Sequence, residues 1–163
     1  MTTSEFNESV KIYADGVYRF IVKNIGEAEE ARDIVQTAFE KLWIHRDTVS
    51  PEKAKSYLFT VAYHQMIDFI RKANKTSFTE QYDTQQGPAT YQKDTELKQV
   101  LFSAINELSP LQKSLVLLKD YEGYSYQEIG EIMELSESQV KVYLHRARLV
   151  LKNKLVHFQK SVA

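Results

Sequence analysis

The stretch from Ser125 to Lys154 constrains the fold of this chain most, because it predicts two helices joined by a very short turn. Ser125 is followed three residues later by Glu128, the capping-box spacing that marks the start of a helix. Apolar residues then recur at helical spacing until residues 134–136 interrupt them. Ser136 is a good N-cap for a second helix. The stretch therefore predicts a short helix, a turn and a longer helix.

Two helices joined by so short a turn must cross steeply, and a close crossing needs a very small side chain on the first helix. Gly130 supplies that side chain, and Leu135, Val140 and Tyr143 are spaced to fill the angle from the other side. This spacing is typical of the DNA-binding helix-turn-helix, whose second helix lies in the major groove. The chain departs from the common pattern at Glu134, where such motifs often have glycine, and at Gly130, where alanine is usual.

The second predicted helix has one apolar side and one polar, basic side. The apolar stripe consists of Val140, Leu144, Ala147, Leu151 and Leu155. From Ser138 to the end there are six Lys or Arg and no Asp or Glu, whereas residues 120–137 hold six acidic residues and no basic one. Charge sorted in this way favours contact between the helix and phosphate groups. The alternative is a solvated basic helix in an ordinary helical bundle.

Composition excludes several classes of function. The 163 residues carry a formal net charge of −1 and contain no cysteine, so neither a disulfide framework nor a thiolate zinc site is expected. The four histidines show neither metal-ligand pairing nor a neighbouring acidic cluster, and no glycine-rich phosphate loop occurs. We therefore expect no enzyme activity, metal, cofactor or small-molecule substrate. Without a signal peptide or an apolar run long enough to span a membrane, the expected location is the cytoplasm.

Helical periodicity with a break in the middle predicts an all-α fold of two small helical domains joined by a polar linker, the C-terminal one ending in the helix-turn-helix. Ahead of that motif, helices are expected at about 5–23, 27–46, 51–72, 95–106 and 110–121. Asn24-Ile25-Gly26 ends the first of these, and Ser109 with Pro110 starts the last. The predicted domains are residues 1–74 and 95–163. Residues 75–94 are polar and contain Gly87-Pro88, so they are expected to form the linker.

The helix expected at 27–46 has a polar side opposite its core side, which holds Ile34, Val35, Ala38, Phe39 and Leu42. Asp33, Gln36, Thr37 and Glu40 line the polar side, with Ile44 among them and Trp43 at the border. A polar face is commonly just solvated. An exposed isoleucine and a border tryptophan among polar residues, however, suit a surface that binds another protein.

The third helix has more aromatic residues than one buried stripe needs. They are Tyr57, Phe59, Tyr63 and Phe69. Exposed rings beside Lys and Arg can stack unpaired bases, so some of these rings are candidates for contact with single-stranded nucleic acid. The alternative for each ring is packing against the first two helices.

Three segments, taken together, point to a known family: DIVQTAFEKLW at 33–43, SYLFTVAYHQMIDFIRK at 56–72, and LSPLQKSLVLLKDYEGYSYQEIGEIM followed by VKVYLHRARLVL in the C-terminal half. They closely resemble the extracytoplasmic-function (ECF) group of bacterial sigma factors, over nearly the whole chain and in the right order. The resemblance implies an initiation subunit of RNA polymerase. The partners it implies are core polymerase, promoter DNA and an anti-sigma factor.

The resemblance also implies which residues act. Docking on the clamp helices of the largest polymerase subunit falls to Asp33, Gln36, Thr37, Glu40, Trp43 and Ile44, within a segment that Phe39 also matches. Opening of the minus-ten element and contact with the melted non-template strand fall to Tyr57, Tyr63, His64, Asp68, Arg71 and Lys72, with a flipped-out base captured by the loop at 45–55. Reading of the double-stranded minus-thirty-five element falls to Ser136, Ser138, Gln139, Lys141, Val142, His145, Arg146 and Arg148.

Two departures from the family pattern fall at DNA-facing positions. Tyr63-His64 stands where the family commonly has Arg-Asn, and Val142-Tyr143 stands where a small polar residue and Arg are usual. The base preference of relatives therefore does not carry over to this chain. Val142 is placed to contact a thymine methyl group, which is an apolar contact available in the major groove.

A second hypothesis is a free-standing helix-turn-helix regulator with an N-terminal sensing or dimerising bundle. It accounts equally well for the C-terminal half. It leaves the polar side of the second helix and the aromatic third helix without a role.

Overall fold

Helices make up most of the structure, a computed structural model that describes residues 1–76 and 95–162. In the N-terminal half, α1 spans Thr3–Ile25, α2 spans Ala28–Ile44, and α3 spans Ala54–Thr76 after a 3-10 turn at Pro51–Lys53. In the C-terminal half, α4 spans Thr95–Asn106, α5 Pro110–Val116, α6 Tyr126–Met133 and α7 Glu137–Val162. No β-strand occurs in either described range, and the predicted all-α fold is confirmed.

The helix ends lie where the capping residues predict them. Gly26 adopts a left-handed conformation with φ of 72° and its amide donates to the Val22 carbonyl, which ends α1. Ser109 caps α5 by accepting a hydrogen bond from the Gln112 amide at 3.2 Å. A π-helical turn, Leu117–Tyr121, then continues α5 to about its predicted end.

The N-terminal half packs three helices around one apolar core, as the helical periodicity predicts. Its fully buried side chains include Phe20 and Ile21 of α1, Leu42 of α2, and Leu58 and Phe59 of α3. The ring of Phe59 lies 5.7 Å from that of Phe20, so this aromatic residue of the third helix is core and is not available for stacking bases.

The C-terminal half buries Ile129 and Ile132 of α6 against Val140 and Leu144 of α7, with α4 and α5 behind them. The predicted apolar stripe of the last helix is confirmed for its first four members, while Leu155 is half-buried.

The two halves also contact each other, chiefly through α3 against α6 and α1 against α5. Between α1 and α5 lies the buried side chain of Lys113, whose ammonium group donates to the Asn24 carbonyl and to the side-chain oxygen of Asn106, both at 2.7 Å. Burial lowers the pKa of Lys113 to about 8.

The predicted linker at 75–94 lies outside the described residues, apart from its first two positions. Those two belong to α3, which extends to Thr76.

Candidate nucleic-acid and protein interfaces

The crossing of α6 and α7 leaves no room for a side chain on the first helix. A Cβ atom added to Gly130 would lie 2.7 Å from the backbone oxygen of Leu135, well inside van der Waals contact. The turn between the helices is completed by Glu134, which takes a left-handed conformation with φ of 57°. The predicted helix-turn-helix and the role of Gly130 in it are confirmed by this geometry, and the departure at Glu134 is a non-glycine residue in a conformation that favours glycine.

The N-terminus of α7 is closed by a reciprocal pair of hydrogen bonds. The Gln139 amide donates to the Ser136 hydroxyl at 3.1 Å, and the Ser136 amide donates to the Gln139 side-chain oxygen at 2.9 Å. Ser136 thus caps the helix as predicted. The sequence analysis did not predict that the Gln139 side chain also caps the helix, although the Ser-x-x-Gln spacing is that of a capping box.

All the candidate DNA-reading residues of this motif lie on the solvent side of the packed stripe. Every one of them is exposed: Ser136, Ser138, Gln139, Lys141, Val142, His145, Arg146 and Arg148. Val142 exposes 46% of its surface, which is unusual for a valine on a helix that buries its neighbours Val140 and Leu144. The arrangement presents a largely polar and basic surface, with the apolar Val142 within it, on a helix that a major groove can accept.

Three cations on this surface are held by neighbouring side chains. Arg148 forms an ion pair with Asp120 at 2.7 Å, and that hydrogen bond raises the pKa of the guanidinium. Lys141 lies 5.4 Å from the centre of the Tyr126 ring, and Arg146 lies 5.9 Å from that of Tyr143. The ion pair with Asp120 directs Arg148 toward the flank of the motif, whereas Arg146 remains on its outer side.

The polar side of α2 is exposed as one continuous patch. Asp33, Gln36, Glu40 and Ile44 are exposed, Ile44 to 68%, and Thr37 is half-buried with its hydroxyl donating to the Asp33 carbonyl at 2.9 Å. The Gln36 amide donates to the Glu40 carboxylate at 3.1 Å, one helical turn away. The structure therefore brings together all six residues predicted for this surface.

Aromatic residues form the floor of the same patch. The Trp43 ring contacts the Phe6 ring edge to face at 5.0 Å, and Phe6 contacts Phe39 at 6.3 Å. The guanidinium of Arg46 lies 4.1 Å from the centre of the Trp43 ring. Phe39, expected on the core side of α2, is half-buried, as is Phe6 of α1, and both rings line a shallow cavity with Gln36, Glu40 and Ile44. Only the packing of α1 on α2 reveals that Phe6 belongs to this surface.

The start of α3 and the loop before it form a second cavity, of about 490 Å³. Tyr57 and His64 line it on α3, Ser50 lines it on the loop, and Glu134 reaches it from the helix-turn-helix. The Tyr57 hydroxyl lies 3.2 Å from the His45 ring and donates to the Lys41 carbonyl at 3.4 Å, while partial burial raises the pKa of Tyr57. A pocket with one aromatic wall and polar groups around its rim fits a single unstacked base.

The other residues predicted for this face lie further along α3. Asp68, Arg71 and Lys72 are exposed. Tyr63 is half-buried, and the centre of its ring lies 6.0 Å from that of the His64 ring. Burial raises the pKa of Tyr63, and the charge of Arg71 opposes that shift. The structure thus unites Tyr57 and His64 in the cavity and leaves Tyr63 outside it.

Two further features bear on chemistry. Within residues 1–76 and 95–162, no group of three or more His, Cys, Asp or Glu side chains is arranged to hold a metal ion. Across the same ranges, none of the helices is both long enough and apolar enough to cross a membrane.

Both halves of the chain match known protein families. Residues 10–76 match the family Sigma-70 region 2, and residues 98–151 match the family Sigma-70, region 4. The first match contains α2, α3 and both of their candidate surfaces. The second contains the helix-turn-helix.

Curated relatives match over most of their length. The ECF RNA polymerase sigma factor SigM of Bacillus subtilis is 30% identical over 153 residues, which cover 90% of this chain and 92% of SigM. The ECF RNA polymerase sigma factor SigW of the same organism is 27% identical over 165 residues, covering 92% of this chain and 88% of SigW.

Solved structures share the fold. The sigma factor RpoE of Bartonella quintana, crystallised with the anti-sigma factor NepR, superimposes with a TM-score of 0.73 at 24% identity, over 94% of this chain and 98% of RpoE. CnrH, in complex with the cytosolic domain of CnrY, superimposes with a TM-score of 0.69 at 19% identity, over 93% of this chain and 88% of CnrH.

Proposed function

This chain belongs to the ECF group of RNA polymerase sigma factors, and from that membership we propose how its three surfaces divide the work of starting transcription. The protein is an alternative sigma factor that directs RNA polymerase to specific promoters. The proposal assigns each step of that process to named side chains.

We propose that the exposed side of α2 docks on the clamp helices of the largest polymerase subunit. Support comes from the combination of an exposed Ile44, the Trp43 ring held between Phe6 and Arg46, and a polar rim of Asp33, Gln36 and Glu40. Apolar anchors surrounded by polar groups are typical of protein interfaces with few dominant residues.

The cavity before α3 receives a flipped base of the melted non-template strand, and the exposed residues further along α3 hold the flanking nucleotides. Support comes from the Tyr57 wall, the polar rim that includes Ser50 and His64, and the exposed cations Arg71 and Lys72 further along α3. Extrusion into such a pocket is how proteins read a base that pairing would otherwise hide.

The exposed side of α7 reads the minus-thirty-five element in the major groove. One observation carries the whole assignment: a capped helix with a buried apolar stripe presents every predicted reading residue to solvent. The domain division at 1–74, 75–94 and 95–163 belongs to the same proposal, with the N-terminal domain on polymerase and melted DNA and the C-terminal domain on duplex DNA.

Run-off transcription with core polymerase and a promoter library tests this function. The chain should start transcription from a subset of promoters that share an upstream and a downstream element. If the chain by itself retarded promoter DNA in a gel-shift assay or repressed transcription, and core polymerase had no effect on its binding, the free-standing regulator would be established instead.

An anti-sigma factor completes the proposed set of partners, and the site of action is the cytoplasm, where RNA polymerase works. The similar protein RpoE was crystallised with an anti-sigma factor, NepR. For this chain, a partner of that class should abolish run-off transcription when it is added before core polymerase.

A further inference from the structure

Opposite charges meet where the two halves of the chain touch. The acidic segment of the helix-turn-helix, residues 120–137, contributes three carboxylates to this seam. Glu122 pairs with Arg19 at 3.0 Å, Glu131 pairs with Lys53 at 3.5 Å, and Glu128 pairs with Lys55. All three cations belong to the N-terminal half. The acidic segment is therefore matched to basic residues 73 to 103 positions away in the chain.

Further contacts between the two halves surround the ion pairs near α3. The Lys55 ammonium also lies 4.6 Å from the centre of the Tyr124 ring, and Tyr124 packs edge to face on buried Phe59 at 5.4 Å. The hydrogen bond from Lys55 is the largest cause of the lowered pKa of Glu128. One turn further along α3, the Thr60 hydroxyl donates to the Ile132 carbonyl at 2.8 Å. α6 thus lies across the first turns of α3.

The covered part of α3 adjoins the cavity proposed for the flipped base. Lys53 lines that cavity together with Ser50, Tyr57 and His64, and Glu134 of the helix-turn-helix forms part of its wall. A DNA strand whose base entered the cavity would bring its phosphates next to Lys53, which lines it, and Lys55 lies two positions further along the chain, in the first turn of α3. In the structure those positions are taken by carboxylates.

We propose that Lys53 and Lys55 form a phosphate-binding pair for the melted DNA strand, and that Glu131 and Glu128 of α6 occupy this pair in the free protein. The carboxylates of α6 thus occupy the positions beside the two lysines that DNA phosphates would take. A lysine already neutralised by a carboxylate gains little from a phosphate, so the closed arrangement weakens DNA binding until the two halves separate.

The strength of the seam suits a reversible cover. Both ion pairs are partly exposed, so each contributes little in water and both weaken as salt rises. Docking of α2 on polymerase leaves the seam free to open, because none of the three ion pairs of the seam involves a residue of α2. This inference rests on the proposed function, since it needs α3 to meet melted DNA.

The first test removes the covering charges and leaves the helix intact. Glu128 also accepts a hydrogen bond from the Ser125 amide at 3.2 Å in the α6 capping box, and glutamine preserves that acceptor. The variant is therefore Glu128→Gln with Glu131→Gln. A matched control, Glu8→Gln with Glu29→Gln, changes net charge equally at exposed positions away from the seam.

The probe is a 20-nucleotide single-stranded DNA of mixed sequence, and the readout is fluorescence anisotropy with the full-length free protein. The α6 variant should bind between about 2-fold and 20-fold more tightly than the parent, in line with the loss of two partly exposed ion pairs. The control variant should bind only as much more tightly as its change in net charge dictates. When Lys53→Gln and Lys55→Gln are added to both the parent and the α6 variant, the two proteins should bind the DNA equally tightly. Equal binding by the α6 variant and the control, or a gain that survives loss of both lysines, overturns the proposal.

The second test holds the seam closed. The chain has no cysteine of its own, so Arg19→Cys with Glu122→Cys, at an ion pair outside the proposed phosphate site, creates a single pair of thiols across the seam. A cleavable bismaleimide should join them in the free protein. The joined protein should fail to start transcription with core polymerase, and cleavage of the linker should restore the activity of the same sample.

The outcomes separate this inference from the function on which it rests. Failure of the parent chain to start transcription with core polymerase would refute the proposed function. Normal initiation by the parent and by the joined protein alike would refute only the cover, as would the absence of any joined product or a loss that cleavage does not reverse.

Discussion

Single residues in this protein carry conformations and charges that their neighbours must accommodate. Glu134 is the clearest case, since a non-glycine residue with φ of 57° is strained by contact of its Cβ with the backbone. Lys113 is another, because its buried ammonium group donates to neutral oxygens, the Asn24 carbonyl and the Asn106 side-chain amide. For both residues we predict effects on the stability of the protein rather than on DNA binding.

Replacing Glu134 by asparagine should stabilise the protein. Asparagine enters the left-handed region at lower cost than glutamate and, unlike glycine, adds little freedom to the unfolded chain. We expect the free energy of unfolding to rise by about 0.5–1 kcal/mol, measured by urea denaturation followed by circular dichroism. The control is Glu137→Asn, an exposed residue in the first turn of α7, which should not stabilise the protein. Destabilisation by Glu134→Asn would show that the carboxylate is needed at the turn.

The buried Lys113 should make stability depend on pH in a defined direction. Its pKa of about 8 in the folded chain lies below the ordinary value of 10.5, so above pH 8 the unfolded chain binds a proton that the folded chain lacks. Stability contributed by this group therefore rises with pH between about 8 and 10.5. Relative to Lys113→Met, the parent protein should gain about 1–2 kcal/mol in free energy of unfolding from pH 7 to pH 9.5.

The measurement is a pair of urea titrations at each pH, and comparison of the two proteins cancels the other ionisable groups. Tyrosines with raised pKa, such as Tyr124 at about 12, oppose the trend only above about pH 10, outside the chosen range. A difference between parent and variant that stays constant with pH would show that Lys113 keeps its ordinary pKa when folded.

At the scale of one helix, the same rule recurs: each functional helix buries one side and leaves the other for a partner. α2 buries Ile34, Ala38 and Leu42 and exposes its polar residues. α7 buries its apolar stripe and exposes its reading residues. Because the exposed sides contribute little to folding, changes there should separate function from stability.

Reversing charge on α2 should abolish polymerase binding without unfolding the protein. Gln36→Lys with Glu40→Lys replaces two exposed side chains that are hydrogen-bonded to each other, so stability should change by less than about 0.5 kcal/mol per site. Core-polymerase affinity, measured by fluorescence titration, should fall at least about tenfold. Glu96→Lys with Gln99→Lys, two exposed positions of α4, changes the net charge by the same amount and serves as the control. Unchanged affinity in the α2 variant would remove the docking assignment.

Base reading by Gln139 must be tested without breaking the cap of α7. Gln139→Glu keeps the side-chain oxygen that accepts from the Ser136 amide and removes the amide donor. We expect a changed preference at one base pair of the upstream element, worth about 1–3 kcal/mol, in a library randomised at that element. Lys152→Gln, at an exposed position beyond the reading residues, should weaken all promoters alike. If both variants lost activity equally at all promoters, the side of α7 assigned to DNA reading would be the wrong one.

The whole molecule combines two helical units with different exposed surfaces. The helix-turn-helix exposes basic residues along α7, and the start of α3 lines a cavity. The two units contact each other through oppositely charged residues of α6 and of the segment that begins α3, and through a hydrogen bond from Thr60 to the Ile132 carbonyl.

A fragment of residues 95–163 should fold by itself, because α4 to α7 enclose their own core. It should be less stable than the same unit in the whole chain, since it loses the Phe59 contact with Tyr124 and the hydrogen bond from Thr60. It should bind promoter duplex weakly, with affinity that falls steeply as salt rises. Circular dichroism and a salt series of gel shifts check these expectations. Affinity independent of salt would exclude phosphate contact by α7.

The sequence alone determined the helices, the caps at Gly26, Ser109, Ser125 and Ser136, the helix-turn-helix and the exposed side of α2. Each of these depends on contacts between residues about three to five positions apart, which spacing and residue type record directly. Ser125 with Glu128, Gly26 after α1, and the stripe from Val140 to Leu151 are examples.

Only the tertiary structure decided which helices meet, and it assigned several residues that periodicity left open. Phe6 joins Trp43, Phe59 becomes core, Arg148 is held by Asp120, and Lys55 meets Glu128 across 73 positions of chain. No local pattern encodes such pairs, because they arise when separate elements bury apolar surface against each other and bring distant charges within reach.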